Sequence, residues 1–107
     1  MRVESAWAYL VVAGVLEIAW AIGLKQTEGF SRLWPSVLTV CAMIASFALL
    51  AQALKTIPVG TGYAVWTGIG AAGTAIVGML FLGESSQVLR IVCIVLILAG
   101  VVGLKFA

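Results

Sequence analysis

The amino-acid sequence predicts an all-α membrane protein with four transmembrane helices in a single domain. Of its 107 residues, 64% are hydrophobic and only 9% are charged, and the mean hydropathy is +1.22. Roughly a quarter of the residues in a soluble domain are charged. The charged residues lie mainly at the ends of four long apolar stretches. This composition suits a lipid bilayer, and no polar stretch is long enough to form a soluble enzyme or a nucleic-acid-binding module.

Each of the four apolar stretches is long enough to cross a bilayer. At 1.5 Å per residue they are roughly 25 to 36 Å long, against about 30 Å for the hydrocarbon core. None shows the polar and apolar alternation of a barrel strand, and a helix satisfies its own backbone in lipid, so all four are predicted to be helices. The predicted helices span residues 6–24, 34–54, 59–82 and 88–104.

The positive charges are divided equally between the two sides of the predicted bundle. Three lie on the side of the first and third loops and three on the side of the termini and the second loop, so the positive-inside rule favours neither orientation. A chain that inserts both ways round could pair with an inverted copy, and four short helices enclose little volume alone. We therefore expect an antiparallel homodimer. The six residues are Lys25, Arg32 and Arg90 on the first side, and Arg2, Lys55 and Lys105 on the second.

Glu17 is the only ionisable side chain deep within a predicted helix. A carboxylate in the membrane interior costs at least a few kcal/mol, which indicates a functional residue. The structural alternative is a hydrogen bond from neutral Glu17 to a neighbouring helix. Removal from water favours the neutral carboxyl group, and a second copy of Glu17 across a dimer axis favours it further. Such a site can hold protons near neutral pH and exchange them for a cation.

Two residues share the helix face of Glu17. Gly14 and Trp20 lie three residues before and three residues after it. Gly14 is predicted to leave room for a ligand beside the carboxylate. Trp20 offers an indole N–H and a π face to a cation, although tryptophan in a membrane helix also serves packing.

Further polar and aromatic residues lie in the second and third predicted helices. Tyr63 and Trp66 are three residues apart on one face, where they either pack or line a cation site. Ser46 is available to hydrogen-bond Glu17, but a membrane serine can instead bond its own helix backbone.

Small residues in the last two helices predict flexibility and close packing. Gly68 and Gly70 are a candidate hinge in the third helix. Cys93 and Gly100 are seven residues apart and form a small-residue stripe suited to packing between protomers, with packing inside the chain as the alternative. Both cysteines, Cys41 and Cys93, are predicted to be buried packing residues.

No pattern in the sequence predicts catalysis. Histidine is absent, the two cysteines lack zinc-site spacing, and no nucleophile and base pattern or cofactor motif is present, so neither a metal nor a cofactor is expected. The run at residues 68–73 has the glycine spacing of a dinucleotide fingerprint. That interpretation is rejected because no strand precedes it and it lies within an uncharged span.

Two motifs resemble the small multidrug resistance family, and the resemblance covers essentially the whole chain. They are GVLEIAWA at residues 14–21 and PVGTGYAVWTGIG at residues 58–70. The resemblance implies an antiparallel dual-topology homodimer in the prokaryotic inner membrane, in which the two copies of Glu17 form a shared site for protons and cation. Trp20 and the run at residues 66–70 look like the guanidinium-exporter branch.

The resemblance also implies specific roles for residues around Glu17. Carried over by position, the site consists of Glu17 with Gly14, Trp20, Ser46, Tyr63 and Trp66. Ser46 and Trp20 are implied to hydrogen-bond the two glutamates. The leading hypothesis is a proton-coupled antiporter that exports guanidinium and small substituted guanidinium cations. The alternatives are a polyspecific exporter of quaternary ammonium and aromatic cations, and an accessory membrane subunit that transports nothing.

Overall fold

The computed structural model describes residues 2–107 and contains four α-helices joined by short turns. The helices are α1 (Val3–Gln26), α2 (Leu33–Ala53), α3 (Val59–Phe81) and α4 (Val88–Phe106). No strand occurs in these residues, and all four helices are long and apolar enough to cross a membrane. The prediction of an all-α, four-span membrane protein is confirmed. The chain is a multi-pass integral membrane protein.

The helix bounds differ from the predicted ones by at most three residues, and the starts of α3 and α4 coincide with them. The largest difference is at α1, which begins at Val3 and continues to Gln26. Glu4 in its first turn and Lys25 in its last turn carry the charges that the helix dipole favours at each end. Polar residues at the membrane surface therefore extend the helix beyond the apolar stretch from which its bounds were predicted.

The first connection turns the chain back tightly, so that α2 runs antiparallel to α1. Thr27 is fully buried there; its hydroxyl donates to the carbonyl of Leu24 at 2.7 Å and accepts from the N–H of Phe30 at 3.1 Å. The backbone φ is positive at Glu28, Gly29 and Phe30. Only Gly29 takes this conformation without strain, and the hydrogen bonds of Thr27 hold the turn.

Helix α1 packs against α2 and α3, and α2 and α3 also contact each other. The core forms where these three helices meet, around small and aliphatic side chains that exclude solvent. Its buried members are Ala6, Leu10, Ala13, Leu50, Ala53, Ile57, Val65 and Trp66. This core fixes the register between α1 and α3, and that register decides what surrounds Glu17.

Within residues 2–107, the backbone of α4 lies close to that of α3 alone, and its last turn reaches α1 through the side chain of Lys105. Gly68 permits the close approach, because a Cβ there would meet the side chains of Val101 and Ile97. Ile94 is the one buried residue of α4. Most of its large apolar side chains are exposed and face either lipid or another protein.

The prediction that Cys41 and Cys93 are buried is wrong for the single chain, because both are exposed. Hydropathy predicts only that a side chain avoids water, and in a membrane a side chain avoids water by facing lipid as readily as by packing against protein. A Cβ added at Gly100 would have no neighbour within 4 Å in residues 2–107. The small-residue stripe of Cys93 and Gly100 therefore packs against no other helix of its own chain.

Candidate functional site

Glu17 lies midway along α1, on the side that contacts α3. Its carboxyl group rests against the backbone of Gly70: a Cβ added at position 70 would lie 2.7 Å from Cγ of Glu17 and closer still to the carboxyl atoms. Glycine at this position therefore makes the close approach possible. Gly70 entered the sequence analysis only as a hinge candidate. Its contact with Glu17 depends on the register between α1 and α3, and this register cannot be read from the sequence of either helix.

In the part of the chain that the structure describes, one carboxyl oxygen of Glu17 has neither a hydrogen-bond donor nor a cationic partner. Oε1 is buried and accepts no hydrogen bond from residues 2–107. The two ion pairs found within residues 2–107 both lie at helix ends. They join Arg2 to Glu4 and Arg90 to Glu84. A buried carboxylate without a partner is costly, so the group needs a proton or a cation to neutralise it.

Trp20 brings a second unpaired polar group to the same region. It lies three residues after Glu17 on α1, and its Nε1 is buried without an acceptor in the described residues. An unpaired N–H donor and an unpaired carboxylate oxygen thus occur within one turn of one helix. The hydrogen bond between Trp20 and Glu17 that the resemblance implies is not formed within the single chain and stays a prediction.

Four aromatic rings form a row across α1, α2 and α3. Trp20 packs edge-on against Phe47 with ring centroids 6.0 Å apart, and Phe47 packs against Trp66 at 5.6 Å. Tyr63 continues the row from Trp66 at 5.5 Å. The predicted aromatics are therefore brought together. Phe47 was missed, because an aromatic residue in an apolar helix gives no sequence signal that separates a site-facing position from a lipid-facing one.

Ser46 ties the three helices together next to this row. It is fully buried; its hydroxyl donates to the carbonyl of Ala13 at 2.7 Å and accepts from Nε1 of Trp66 at 3.0 Å. Ala13 lies one turn before Glu17, so Ser46 is near the carboxylate but directs its proton to the backbone of α1. The predicted hydrogen bond from Ser46 to Glu17 is absent from the single chain, and it requires the hydroxyl to rotate.

Gly14 lies against α3. A Cβ there would lie 2.7 Å from Cγ2 of Ile69, so the side chain of Ile69 already fills the space above Gly14. The expectation of open room for a ligand at Gly14 is wrong within one chain, because helix packing uses that room. A place for Gly14 in the lining of a shared site stays a prediction.

Helix α3 runs uninterrupted through both candidate hinge glycines. Gly68 faces α4 and Gly70 faces α1, so the two residues allow close packing on opposite sides of one helix. A hinge at this point stays a prediction. A bend here would change the packing of α3 against both α1 and α4.

The arrangement places an unpaired carboxyl oxygen and four aromatic rings along one side of the chain. Tyr63 is 57% exposed and Phe47 is 47% exposed, so part of the aromatic row faces out of the chain. An anionic group beside aromatic faces is the combination that attracts an organic cation. Within residues 2–107 no cluster of side chains suits a metal ion. The site is open on one side, and a second surface is needed to enclose a ligand.

Comparison with known proteins gives matches over nearly the whole chain. The family model described as Small Multidrug Resistance protein matches residues 5–97. A guanidinium exporter of Yersinia pseudotuberculosis is 62% identical over 102 residues, which cover 95% of this chain and 98% of that protein. Guanidinium exporters of Escherichia coli K12 and Salmonella typhimurium are 60% and 57% identical, each over 95% of this chain and 97% of their own length.

Proposed function

Because the chain belongs to the small multidrug resistance protein family, we propose that it exports guanidinium in exchange for protons, with Glu17 of two protomers as the shared site. It is a transporter of the bacterial inner membrane, and its relatives are named as exporters. The observation that carries the proposal is the buried, unpaired Oε1 of Glu17. Within residues 2–107, this one deep acid has no counterion.

The groups around Glu17 suit guanidinium. This cation is planar and presents N–H donors in a fork that matches two carboxylate oxygens. Its flat faces can stack on the aromatic row that includes Trp20 and Trp66. A quaternary ammonium ion has no N–H donors and gains nothing from the carboxylate beyond its charge. The high identity to three proteins named guanidinium exporters supports the same substrate.

Proton coupling follows from competition at Glu17. A neutral carboxyl group cannot attract guanidinium, and a carboxylate holding guanidinium cannot take up a proton. If only the loaded forms pass between the inward-open and outward-open states, each exported cation is exchanged for protons. No second coupling site is required.

A homodimer completes the open side of the site. Part of the aromatic row faces out of the chain, and α4 exposes most of its apolar surface together with Cys93 and Gly100. The equal division of lysine and arginine allows the two protomers to insert in opposite orientations. Two inverted copies would then bring two Glu17 side chains to one central site.

The experiment that tests this function is proton flux into liposomes containing the purified protein alone. An outward guanidinium gradient should drive proton uptake, while tetrapropylammonium at the same concentration should drive little. Glu17→Gln keeps the size of the side chain but cannot release a proton, and it should abolish the flux while leaving the dimer intact. Equal flux with both cations would indicate a polyspecific exporter. Coupled flux in the Gln variant would refute the role of Glu17, and no flux from folded wild-type dimer would support an accessory subunit.

A further inference from the structure

Two apolar grooves meet at one end of the bundle, away from Glu17. The first, of about 630 Å³, follows the outer face of α1 and is lined mainly by apolar side chains such as Val11 and Val12. The second, of about 320 Å³, lies between α1, α3 and α4 and is lined by side chains that include Val65 and Ile69. Both volumes fall in the range of about 300–1,000 Å³ that is typical of ligand sites.

The two grooves share a cationic rim. Trp7, Val11 and Lys105 line both of them, and Nζ of Lys105 lies 5.7 Å from the centre of the Trp7 ring, within cation–π range. Lys105 is in the last turn of α4, at the membrane surface where the termini lie. The grooves therefore diverge from one positively charged point.

The charge at this rim is unbalanced. Glu4 lines the first groove but is paired with Arg2 at 3.6 Å on the exposed surface. No carboxylate lies within 4.0 Å of Lys105 in residues 2–107. With the Glu4 charge balanced by Arg2, Lys105 leaves one positive charge at the rim, which a single anionic group would neutralise.

The depth of the grooves matches one leaflet of a bilayer. From Val3 to Val12 the first groove runs along nine residues of α1, or about 14 Å. In the second groove Ile69 lies ten residues into α3, or about 15 Å from the same surface. Half of a hydrocarbon core of about 30 Å is about 15 Å.

We propose that the grooves hold the two acyl chains of one anionic diacyl phospholipid of the phosphatidylglycerol type, with its phosphate at Lys105. The shared rim accounts for one headgroup, the two grooves account for two chains, and the net positive charge selects an anion. The proposal does not depend on the substrate of the transporter, since neither Glu17 nor any ring of the aromatic row lines a groove, and Ile69 is the one groove residue that also packs near Glu17.

The test counts lipids retained by the purified dimer in native mass spectrometry, with phosphatidylglycerol and phosphatidylcholine supplied at equal concentration. Wild type should retain phosphatidylglycerol about fivefold better, because one lysine at a membrane surface contributes roughly 1 kcal/mol to an anionic lipid. Lys105→Gln should reduce retention to the level of phosphatidylcholine. Lys55→Gln is the matched control, because Lys55 lies at the same membrane surface outside both grooves.

A second variant tests the groove independently of charge. Val12 is 50% exposed, so Val12→Trp should fold normally, fill the first groove and lower phosphatidylglycerol retention. Three results would overturn the proposal. They are equal retention of the two lipids by wild type, unchanged retention in Lys105→Gln, and a shift of Val12→Trp from dimer to monomer with lipid retention unchanged. The last result would assign the groove to the partner protomer.

Discussion

Replacing Gly70 with alanine should weaken guanidinium binding by displacing the Glu17 carboxylate. The new Cβ would lie 2.7 Å from Cγ of Glu17 and closer still to the carboxyl group, whereas carbon atoms pack at about 3.5–4.0 Å. The carboxyl group must therefore move by roughly 1 Å. A misplacement of that size in a functional group can reduce activity on the order of a hundredfold. We expect guanidinium affinity to fall at least tenfold, which corresponds to about 1.4 kcal/mol.

The fold should tolerate this substitution. Overpacking costs about 1–3 kcal/mol, and alanine recovers up to about 1 kcal/mol of helix propensity relative to glycine. The displaced atoms belong to the far end of a flexible side chain, which can rotate away from α3. Dimer assembly and helix content should therefore remain close to those of the wild type.

Two control variants separate displacement of Glu17 from other effects of losing a glycine. Gly60→Ala makes the same change in the same helix, where the new Cβ would meet no side chain within 4 Å among residues 2–107, so binding should be unchanged. Gly68→Ala meets Val101 of α4 instead of Glu17. It should slow transport if the segment bends, with little change in affinity.

The assay is isothermal titration of guanidinium into purified dimer, with liposome flux measured in parallel. Wild-type affinity in folded Gly70→Ala dimer would refute the reasoning, because the carboxylate would then bind guanidinium without its observed position. Equal losses of affinity in Gly68→Ala and Gly70→Ala would show that the effect belongs to the backbone of α3 and not to the contact with Glu17.

Three further substitutions test packing, surface charge and assembly. Ser46→Ala leaves the buried Nε1 of Trp66 unpaired and should lower the free energy of unfolding by about 1–3 kcal/mol; chemical denaturation in detergent measures this, and an effect no larger than that of the exposed Ser31→Ala would contradict it. Glu84→Gln breaks the 2.6 Å ion pair with Arg90, whose side chains are 36–42% exposed. It should cost about 0.2–1 kcal/mol at low salt, and a loss that persists undiminished at about 1 M salt would rule out an electrostatic cause. Gly100→Leu should raise the monomer fraction in size-exclusion chromatography if the stripe on α4 is a protomer interface, whereas Val95→Leu, which places a leucine at another exposed position of α4, should not; identical elution of the two variants would remove Gly100 from the interface.

The four helices could be predicted because the requirement that produces them is local. Each span must satisfy its own backbone hydrogen bonds in lipid, so hydropathy and length were sufficient to find α1 to α4. The bounds were less accurate at α1, where polar residues at the membrane surface prolong the helix. Hydropathy also failed to separate lipid-facing from protein-facing residues, as the exposed Cys41 and Cys93 show.

In the candidate site, too, one part could be predicted from the sequence and the rest required the structure. Glu17 stands out in the sequence because a charge inside an apolar helix is expensive wherever the other helices lie. Its surroundings follow from helix register: Gly70 against the carboxyl group, Ile69 over Gly14, and Phe47 between Trp20 and Trp66.

By itself, then, the sequence determined that the chain spans a membrane four times, and it singled out Glu17, the one deep acid, as the candidate functional residue. Both conclusions rest on transfer free energies, which depend on each segment alone. Only the tertiary structure decided that Ser46 bonds the backbone of α1 and Trp66, that Gly70 admits the carboxyl group of Glu17, and that α4 leaves Gly100 uncovered. These contacts depend on the distances and register between helices, where a shift of a single residue changes every neighbour.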